Sequence, residues 1–253
     1  LVAERRNEIA VISIMHSNNE LGSIQPIAEL VQIAGAIPVH TDAVQSFGKV
    51  PFNFEEIGVS AATLSAHKIG GPLGVAALVL KHGIDLAPLL HGGGQEREIR
   101  SGTINAPGIV AFAKAAEVAI ATRECNFKVI RELRDQLITG LKHVVPDAII
   151  NSPADPALPG VVNISIPGTE SDALLLLLDS EGVSASAGSA CSAGVPRPSH
   201  VLIAMGIAEE LADASLRISI GASNTSDEIK KVISLMPSVV ERARNAFAVG
   251  KLS

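Results

Sequence analysis

The chain has 253 residues, of which 47% are hydrophobic and 18% charged, a composition typical of a globular protein with a buried core. The formal charge of −6, together with six Phe and no Trp or Tyr, argues against the basic, aromatic surface of a nucleic-acid-binding protein. The densest apolar run, residues 173–178, is far too short to span a membrane. We therefore expect neither a nucleic acid nor a membrane as a partner.

Short apolar or β-branched runs alternate with helical patterns in the first half of the chain. Strands are predicted at residues 9–15, 37–40, 61–65 and 75–80, with a helix after Pro26. This alternation predicts an α/β fold with a largely parallel sheet. Functional groups gather at the carboxyl ends of strands in such sheets. Asn19, Asp42 and Lys68 each follow one of the predicted strands and are therefore candidates for chemistry.

The second half begins with a long helical pattern that runs from Ala106 to about His143 with interleaved charges. Beyond it the sequence predicts a strand at 160–165, a helix at 171–180, a Gly/Ser/Ala-rich loop at 184–194, a strand at 215–220 and a terminal helix. That last helix opens with Thr225 and Glu228 at the spacing of a capping box. We therefore predict a smaller α+β domain at 123–253 after a first domain at 1–122.

Lys68 ends the segment Ser65-Ala-His-Lys68, which follows a predicted strand and precedes a glycine-rich turn. A lysine amine presented by a sheet can form an imine with an aldehyde. For an isolated lysine, a solvated surface position is the more frequent explanation.

The segment His40-Thr-Asp-Ala-Val-Gln45 also ends a predicted strand, about one strand-helix-strand unit before Lys68. A carboxylate at Asp42 can pair with a pyridinium nitrogen and keep the ring an electron sink. An isolated Asp after a strand is more often a helix N-cap, and Gln45 can equally be a first-turn helix residue.

Two residues of the second half can act on a substrate. Cys191 lies among small residues, a context that favours an exposed, reactive thiolate, although a lone cysteine is more often a small buried hydrophobe. Arg217 lies in an alternating strand, where its guanidinium can bind a substrate carboxylate or form a structural ion pair. The other cysteine, Cys125, lies on a charged helical pattern. Cysteines this few and this far apart indicate neither a disulfide framework nor a metal site, and they favour a reducing, cytoplasmic or organellar-matrix location.

Five motifs in order resemble the NifS/IscS-like cysteine desulfurases of the class V aminotransferase family. They are His40-Thr-Asp-Ala-Val-Gln45, Ser65-Ala-His-Lys-Ile-Gly-Gly-Pro72, Gly92-Gly-Gly-Gln-Glu-Arg97, Arg100-Ser-Gly-Thr103 and Gly188-Ser-Ala-Cys191. Each motif alone is weakly specific, but five in this order across nearly the whole chain are highly specific. The resemblance implies a pyridoxal 5'-phosphate (PLP)-dependent transferase of fold type I. The chain would supply part of the large, mostly parallel-sheet domain and then a smaller α+β domain.

The resemblance also implies which residues hold the cofactor. Lys68 would carry PLP as a Schiff base, and Asp42 would face the pyridine nitrogen. Gln45 would contact the ring hydroxyl, while Ser65 and His67 would bind the phosphate.

Four further positions match residues that act on substrate or join subunits in the family. Asn19 matches an asparagine near the substrate and ring, and Arg217 matches the arginine that binds the substrate carboxylate. Cys191 would be the nucleophile that forms a persulfide. Thr103 matches a threonine that reaches the phosphate of the neighbouring subunit's cofactor, so a homodimer is expected.

The implied activity is the PLP-dependent conversion of L-cysteine to L-alanine, with a persulfide on Cys191 that passes to a protein acceptor such as an iron–sulfur scaffold. Two alternatives are a selenocysteine lyase and a truncated, non-catalytic scaffold that dimerises or accepts sulfur. Family members carry an earlier loop that holds the cofactor phosphate and a residue that stacks on the ring. We expect such a segment to precede Leu1.

Overall fold

The computed structural model describes residues 2–188 and 198–250, without the side chains of residues 249 and 250. The chain divides into two compact units. Unit 1 consists of Leu1–Ser17 and Gln25–Arg123, and unit 2 consists of Asn18–Ile24 and Glu124–Ser253. The domain limits at 1–122 and 123–253 stay a prediction.

Unit 1 is built on a four-stranded sheet with the strands in sequence order. The strands are β1 (Ile12–Met15), β2 (Val39–Asp42), β3 (Ala61–Ser65) and β4 (Ala76–Leu80). The first three are mutually parallel, and β4 runs antiparallel to β3. This mixed, mainly parallel sheet confirms the predicted α/β architecture.

Two strands of unit 1 begin at least two residues later than the sequence patterns indicated. The first starts at Ile12 because residues 6–8 form a 3-10 helix after a short helix α1 (Val2–Arg5). The second starts after Pro38, which has no N–H to donate to a strand ladder, although its carbonyl accepts from Ile12 N–H at 2.9 Å. The shift moves β2 to Val39–Asp42, so that Asp42 is its last residue.

The helices of unit 1 cover a core formed by apolar residues of the sheet and its connections. Helix α2 (Ile27–Ala34) begins after Pro26, as predicted, and ends at Gly35, whose φ of +62° suits glycine. Helix α3 (Phe54–Ile57) was not predicted, and Asn53 caps it by accepting from two backbone N–H groups. The buried residues of this core are Ile27, Ala34, Ile37, Val39, Val59 and Ala62.

The long helix α4 (Ala106–Val144) matches the predicted helix to within one residue at its end. The boundary between the two units falls inside it, after Arg123. Leu133, Leu137 and Leu141 recur every four residues, so they share one face of the helix, and this face is buried in the core of unit 2.

Unit 2 contains an antiparallel three-stranded sheet covered by helices. The strands are β5 (Ile149–Ile150), β6 (Val161–Ser165) and β7 (Ser215–Ser219), in that order. The helices are α5 (Ser171–Ser180), α6 (His200–Ala204), α7 (Glu209–Asp213) and α8 (Ser226–Gly250). Among the helices of the described residues, none is long and apolar enough to cross a membrane.

The predicted capping box of α8 is present. Thr225 N–H donates to Glu228 Oε2 at 2.8 Å, and Glu228 N–H donates to Thr225 Oγ1 at 3.3 Å. The reciprocal pair satisfies two backbone donors that the first helical turn leaves without partners.

The short segment Asn18–Ile24 belongs to unit 2 although it lies between β1 and α2 in the chain. Asn18 Oδ1 accepts from the N–H groups of Glu20 and Leu21, which tightens the segment into a turn. Gly22 has a φ of +78°, and its carbonyl accepts from Leu158 N–H at 2.7 Å. These bonds position Asn19 and Glu20 within unit 2.

Candidate active site

Lys68 lies in a single 3-10 turn, Ala66–Ile69, that follows β3 without a break. Ser65 is the last residue of the strand, and the turn ends at Gly70, where φ is +80°. The His67 and Lys68 side chains are exposed. The strand end therefore presents a hydroxyl, an imidazole and an amine within four consecutive residues.

Ala66, which is fully buried, anchors this turn in the core. Ala66 N–H donates to Val75 O at 3.1 Å, and Gly71 N–H donates to Ala66 O at 2.9 Å. A Cβ added at Gly71 would lie 2.9 Å from Ala66 Cβ, so the motif requires glycine at this position for close backbone approach.

Ser65 and His67 are in direct contact. The distance from Ser65 Oγ to His67 Nδ1 is 2.7 Å. If the hydroxyl donates to Nδ1, the ring proton resides on Nε2, so the imidazole keeps a donor for an anion. The structure thus brings together the two side chains that the sequence predicts to bind phosphate.

Asp42 ends β2, the parallel neighbour of β3. Its Cα pairs with Thr63 in the register of the two strands, so Asp42 and Ser65 lie at the carboxyl ends of adjacent strands. The Asp42 carboxylate is exposed, and its Oδ1 accepts from Val44 N–H at 2.9 Å. This bond caps the turns that follow, which is the structural role considered for an isolated Asp, and it fixes the carboxylate at the sheet edge.

Gln45 lies in the series of turns after Asp42, and its side chain contacts a residue that the sequence analysis missed. Lys49 Nζ donates to Gln45 Oε1 at 3.1 Å. Burial, and secondarily the neighbouring charge of Lys68, lower the pKa of Lys49 to about 8. The spacing of four residues between Gln45 and Lys49 was the available signal, and the structure has turns there instead of the helix considered for Asp42 and Gln45.

Thr103 follows a closed loop that joins the third and fourth motifs of the family. Ser101 N–H donates to Leu90 O at 3.1 Å, and Gly102 N–H donates to Gln95 Oε1 at 3.1 Å. Thr103 itself is exposed and, within the described part of the chain, forms no hydrogen bond to the residues at the ends of β2 and β3.

Arg217 and Asn19 are in contact within unit 2. Arg217 Nη1 donates to the main-chain carbonyl of Asn19 at 3.1 Å, while Arg217 Nε is buried with no partner among the described residues. The backbone of Arg217 also exchanges two hydrogen bonds with Ser186. Arg217 therefore fixes both the Asn18–Ile24 segment and the start of the small-residue loop onto β7.

Glu20 lies near described residues that precede and follow Cys191 in the chain. Ser199 Oγ donates to Glu20 Oε2 at 2.5 Å, and a Cβ at Gly188 would lie 3.7 Å from the same oxygen. Glu20 is 1% exposed. Cys191, between these two positions, lies outside the described residues, and Cys125 is a free, exposed cysteine. No sequence pattern linked Glu20 to Ser199.

A cavity of about 650 Å³ lies elsewhere in unit 1. Its lining includes His16, Phe52 and Arg123 but none of the predicted site residues. His16 is buried, its pKa is lowered by that burial, and it packs edge-on against Phe52 with ring centroids 5.3 Å apart. The carboxylate, hydroxyl, imidazole and amine of the predicted site lie at the ends of β2 and β3, so we place the candidate site there.

Fold and site residues together define a class of protein. The family model for aminotransferase class-V proteins matches residues 2–232, and the chain belongs to this family. Class V aminotransferases and cysteine desulfurases of the NifS and IscS type are PLP-dependent.

Two curated relatives of the chain are named as cysteine desulfurases. The chain is 43% identical over 246 residues to an IscS-like cysteine desulfurase of Mycobacterium tuberculosis, covering 96% of this chain and 63% of that protein. It is also 43% identical over 242 residues to the cysteine desulfurase IscS of Methanosarcina thermophila, covering 95% of this chain and 60% of that protein. The chain thus spans less than two thirds of the length of these relatives.

Solved structures agree with the fold. A NifS-like protein from Rickettsia africae superposes with a TM-score of 0.84 at 36% identity, covering 91% of this chain and 62% of that one. Another NifS-like protein gives a TM-score of 0.83, also at 36% identity, covering 91% of this chain and 61% of that one. These matches confirm the predicted fold type I class.

Proposed function

We propose that this chain provides the PLP- and substrate-binding residues of a cysteine desulfurase, which converts L-cysteine to L-alanine and transfers sulfur to a protein acceptor. One observation carries the proposal. Lys68 follows the contacting pair Ser65 and His67 at the end of β3, with Asp42 at the end of the neighbouring parallel strand. The relatives named as cysteine desulfurases support the same activity.

The residues at the two strand ends fit PLP chemically. An amine at Lys68 suits the aldehyde, and the carboxylate of Asp42 suits a protonated pyridine nitrogen. The hydroxyl of Ser65 and the imidazole of His67 suit the phosphate, and the amide of Gln45 suits the ring hydroxyl. Each side chain is on a strand end or the turn after it, where the backbone holds it in place.

Bound PLP supplies an electron sink that stabilises negative charge at the substrate α-carbon. The carboxylate of Asp42 would favour the protonated ring nitrogen and so maintain this property. Lys68 Nζ would serve as the base that accepts the proton from the substrate α-carbon.

Cys191 completes the sulfur transfer. Its thiolate attacks the sulfur of the substrate cysteine, so that an S–S bond forms as the C–S bond breaks. The carbon skeleton gains a proton and leaves as alanine, while the extra sulfur stays on Cys191 as a persulfide. The reaction needs no external oxidant or reductant, because the substrate carbon is reduced as its sulfur is oxidised.

Arg217 and Asn19 are the proposed substrate contacts. A guanidinium already fixed through one nitrogen can bind the substrate carboxylate with little further ordering. The exposed position of Thr103 suits contact with the cofactor phosphate of a second subunit in a homodimer. The acceptor is proposed to be a protein such as an iron–sulfur scaffold, in a reducing cytoplasmic compartment that keeps Cys191 as a thiol.

The test is alanine formation from L-cysteine by the purified, PLP-treated chain and by its Lys68→Ala, Cys191→Ser and Cys125→Ser variants. We expect alanine from the unaltered chain and from Cys125→Ser, and loss of product from the other two. Comparable turnover in Cys191→Ser, or product from selenocysteine but not from cysteine, would refute the assignment. Cys125 is the matched control because it is a free, exposed cysteine of the same chain.

A further inference from the structure

Lys49 is a charged residue that the proposed chemistry does not use. It lies in the turns after β2, is half-buried, and its Nζ is 3.1 Å from Gln45 Oε1. The charge of Lys68 is a secondary cause of the lowered pKa of Lys49, after burial. A partly buried cation that is repelled by a second cation is destabilised unless it gains a polar or anionic partner.

The contact between Lys49 and Gln45 allows only one orientation of the Gln45 amide. An ammonium group has three donors and no acceptor, whereas a glutamine amide has a carbonyl oxygen on one side and an NH2 group on the other. Lys49 can therefore bind only the oxygen of Gln45. The NH2 group of Gln45 then remains as the donor for a ligand, and an inverted amide would place two donors against each other.

We propose that Lys49 is a positioning residue that fixes the side-chain amide of Gln45, so that its NH2 group is presented to the ring hydroxyl of PLP. This inference rests on the proposed function and deepens it. The ionised ring hydroxyl of PLP accepts hydrogen bonds, so it suits the NH2 group that Gln45 keeps free when its oxygen binds Lys49.

Electrostatics agree with this role. Burial and the Lys68 charge lower the pKa of Lys49 to about 8, so the ammonium still predominates at neutral pH, but at a cost to the protein without ligand. If Lys49 only filled space, an apolar substitution would leave PLP binding unchanged. If it orients Gln45 as a donor, an apolar substitution should weaken PLP binding.

The test is the equilibrium affinity for PLP, measured by absorbance titration of the chain and of its Lys49→Met and Lys49→Arg variants. Loss of one oriented hydrogen bond should weaken PLP binding about tenfold in Lys49→Met. Lys49→Arg retains a donor and a charge and should recover most of the affinity. Lys81→Met, which alters an exposed lysine of the same unit, should bind PLP as the unaltered chain does.

A second pair of variants separates orientation from general damage. Gln45→Leu should weaken PLP binding on its own, and adding Lys49→Met to it should change the affinity less than about twofold, because the group to be oriented is absent. Fully additive losses would overturn the inference, as would unchanged PLP binding in Lys49→Met. Lys49→Ala, which also removes the donor, takes the place of Lys49→Met in both comparisons if Lys49→Met does not fold.

The outcomes for this inference and for the proposed function are distinct. If the unaltered chain acquires no PLP, both fall. If it binds PLP but Lys49→Met binds equally well, only the role of Lys49 falls.

Discussion

Ser65 Oγ and His67 Nδ1 lie 2.7 Å apart, one on each side of the fully buried Ala66. Ala66 anchors the turn in the core, so the two polar side chains on either side of it are set at a fixed separation. The pair precedes Lys68 directly. This relationship makes the end of β3 a prepared anion site next to an amine.

Ser65→Ala and His67→Ala should each weaken PLP binding about tenfold, because each removes one hydrogen-bonding group from the phosphate site. The double variant should be little worse than either single one, since the two groups act as a pair. Absorbance titration with PLP measures the effect. His82→Ala, at an exposed histidine of unit 1, is the control, and unchanged affinity in all three site variants would contradict the phosphate role.

Lys49 should give the free energy of unfolding a distinct pH dependence. Its pKa is lowered to about 8 in the folded protein, whereas an unfolded lysine titrates near 10.5. Between these values the unfolded chain binds more protons at this side chain, so the free energy of unfolding rises with pH across that window. Below pH 8 both states are protonated, and the cost of the buried ammonium is present in full.

Lys49→Met should therefore be more stable than the unaltered chain at pH 7, by at most about 3 kcal/mol, and the difference should vanish as the pH approaches 10.5. Denaturant titrations at several pH values measure this. Lys81→Met should show no such trend. A difference that stays constant from pH 7 to pH 10 would show that the Lys49 ammonium is not destabilised by burial.

The contact between Ser199 and Glu20 should matter for the stability of unit 2. Ser199 Oγ donates to the buried Glu20 carboxyl and accepts from Leu202 N–H at 3.3 Å, which caps helix α6. Ser199→Ala removes both interactions and should lower the free energy of unfolding by about 2 kcal/mol. Ser180→Ala, at an exposed serine, should cost less than about 0.5 kcal/mol. Equal costs for the two variants would be inconsistent with this contact.

Gly160 lies where the backbone leaves no room for a side chain. A Cβ there would be 2.1 Å from Ile220 O, and a backbone atom cannot move aside as a side-chain end can. Gly160→Ala should lower the free energy of unfolding by about 3 kcal/mol. Gly221→Ala is the matched control, because the nearest heavy atom to its Cβ would be 4.0 Å away. Thermal unfolding of the two variants tests the difference, and similar melting temperatures would contradict it.

The sequence predicted the elements whose signals are local. Strand β3, helix α5 and the ends of α4 follow from apolar runs, charge periodicity and flanking polar residues, and the capping box at Thr225 depends on two residues three apart. The likeness to the class V aminotransferase family followed from motifs in order, and the family match confirmed it.

Features that depend on long-range contacts were not predictable. Helix α6 is five residues long, and its cap, Ser199, bonds Glu20 from a distant part of the chain. The segment Asn18–Ile24 belongs to unit 2 through hydrogen bonds to residues more than a hundred positions away. Lys49 was not singled out from the sequence, because its burial arises only when the turns after β2 pack.

The identity of the lysine that binds PLP is the most direct test of the proposed site. The PLP-treated chain is reduced with borohydride, digested, and analysed by mass spectrometry for the peptide that carries the pyridoxyl group. We predict that this group is on Lys68 and that Lys68→Ala yields no modified peptide. A pyridoxyl group on Lys49 or another lysine in the unaltered chain, or none at all, would contradict it.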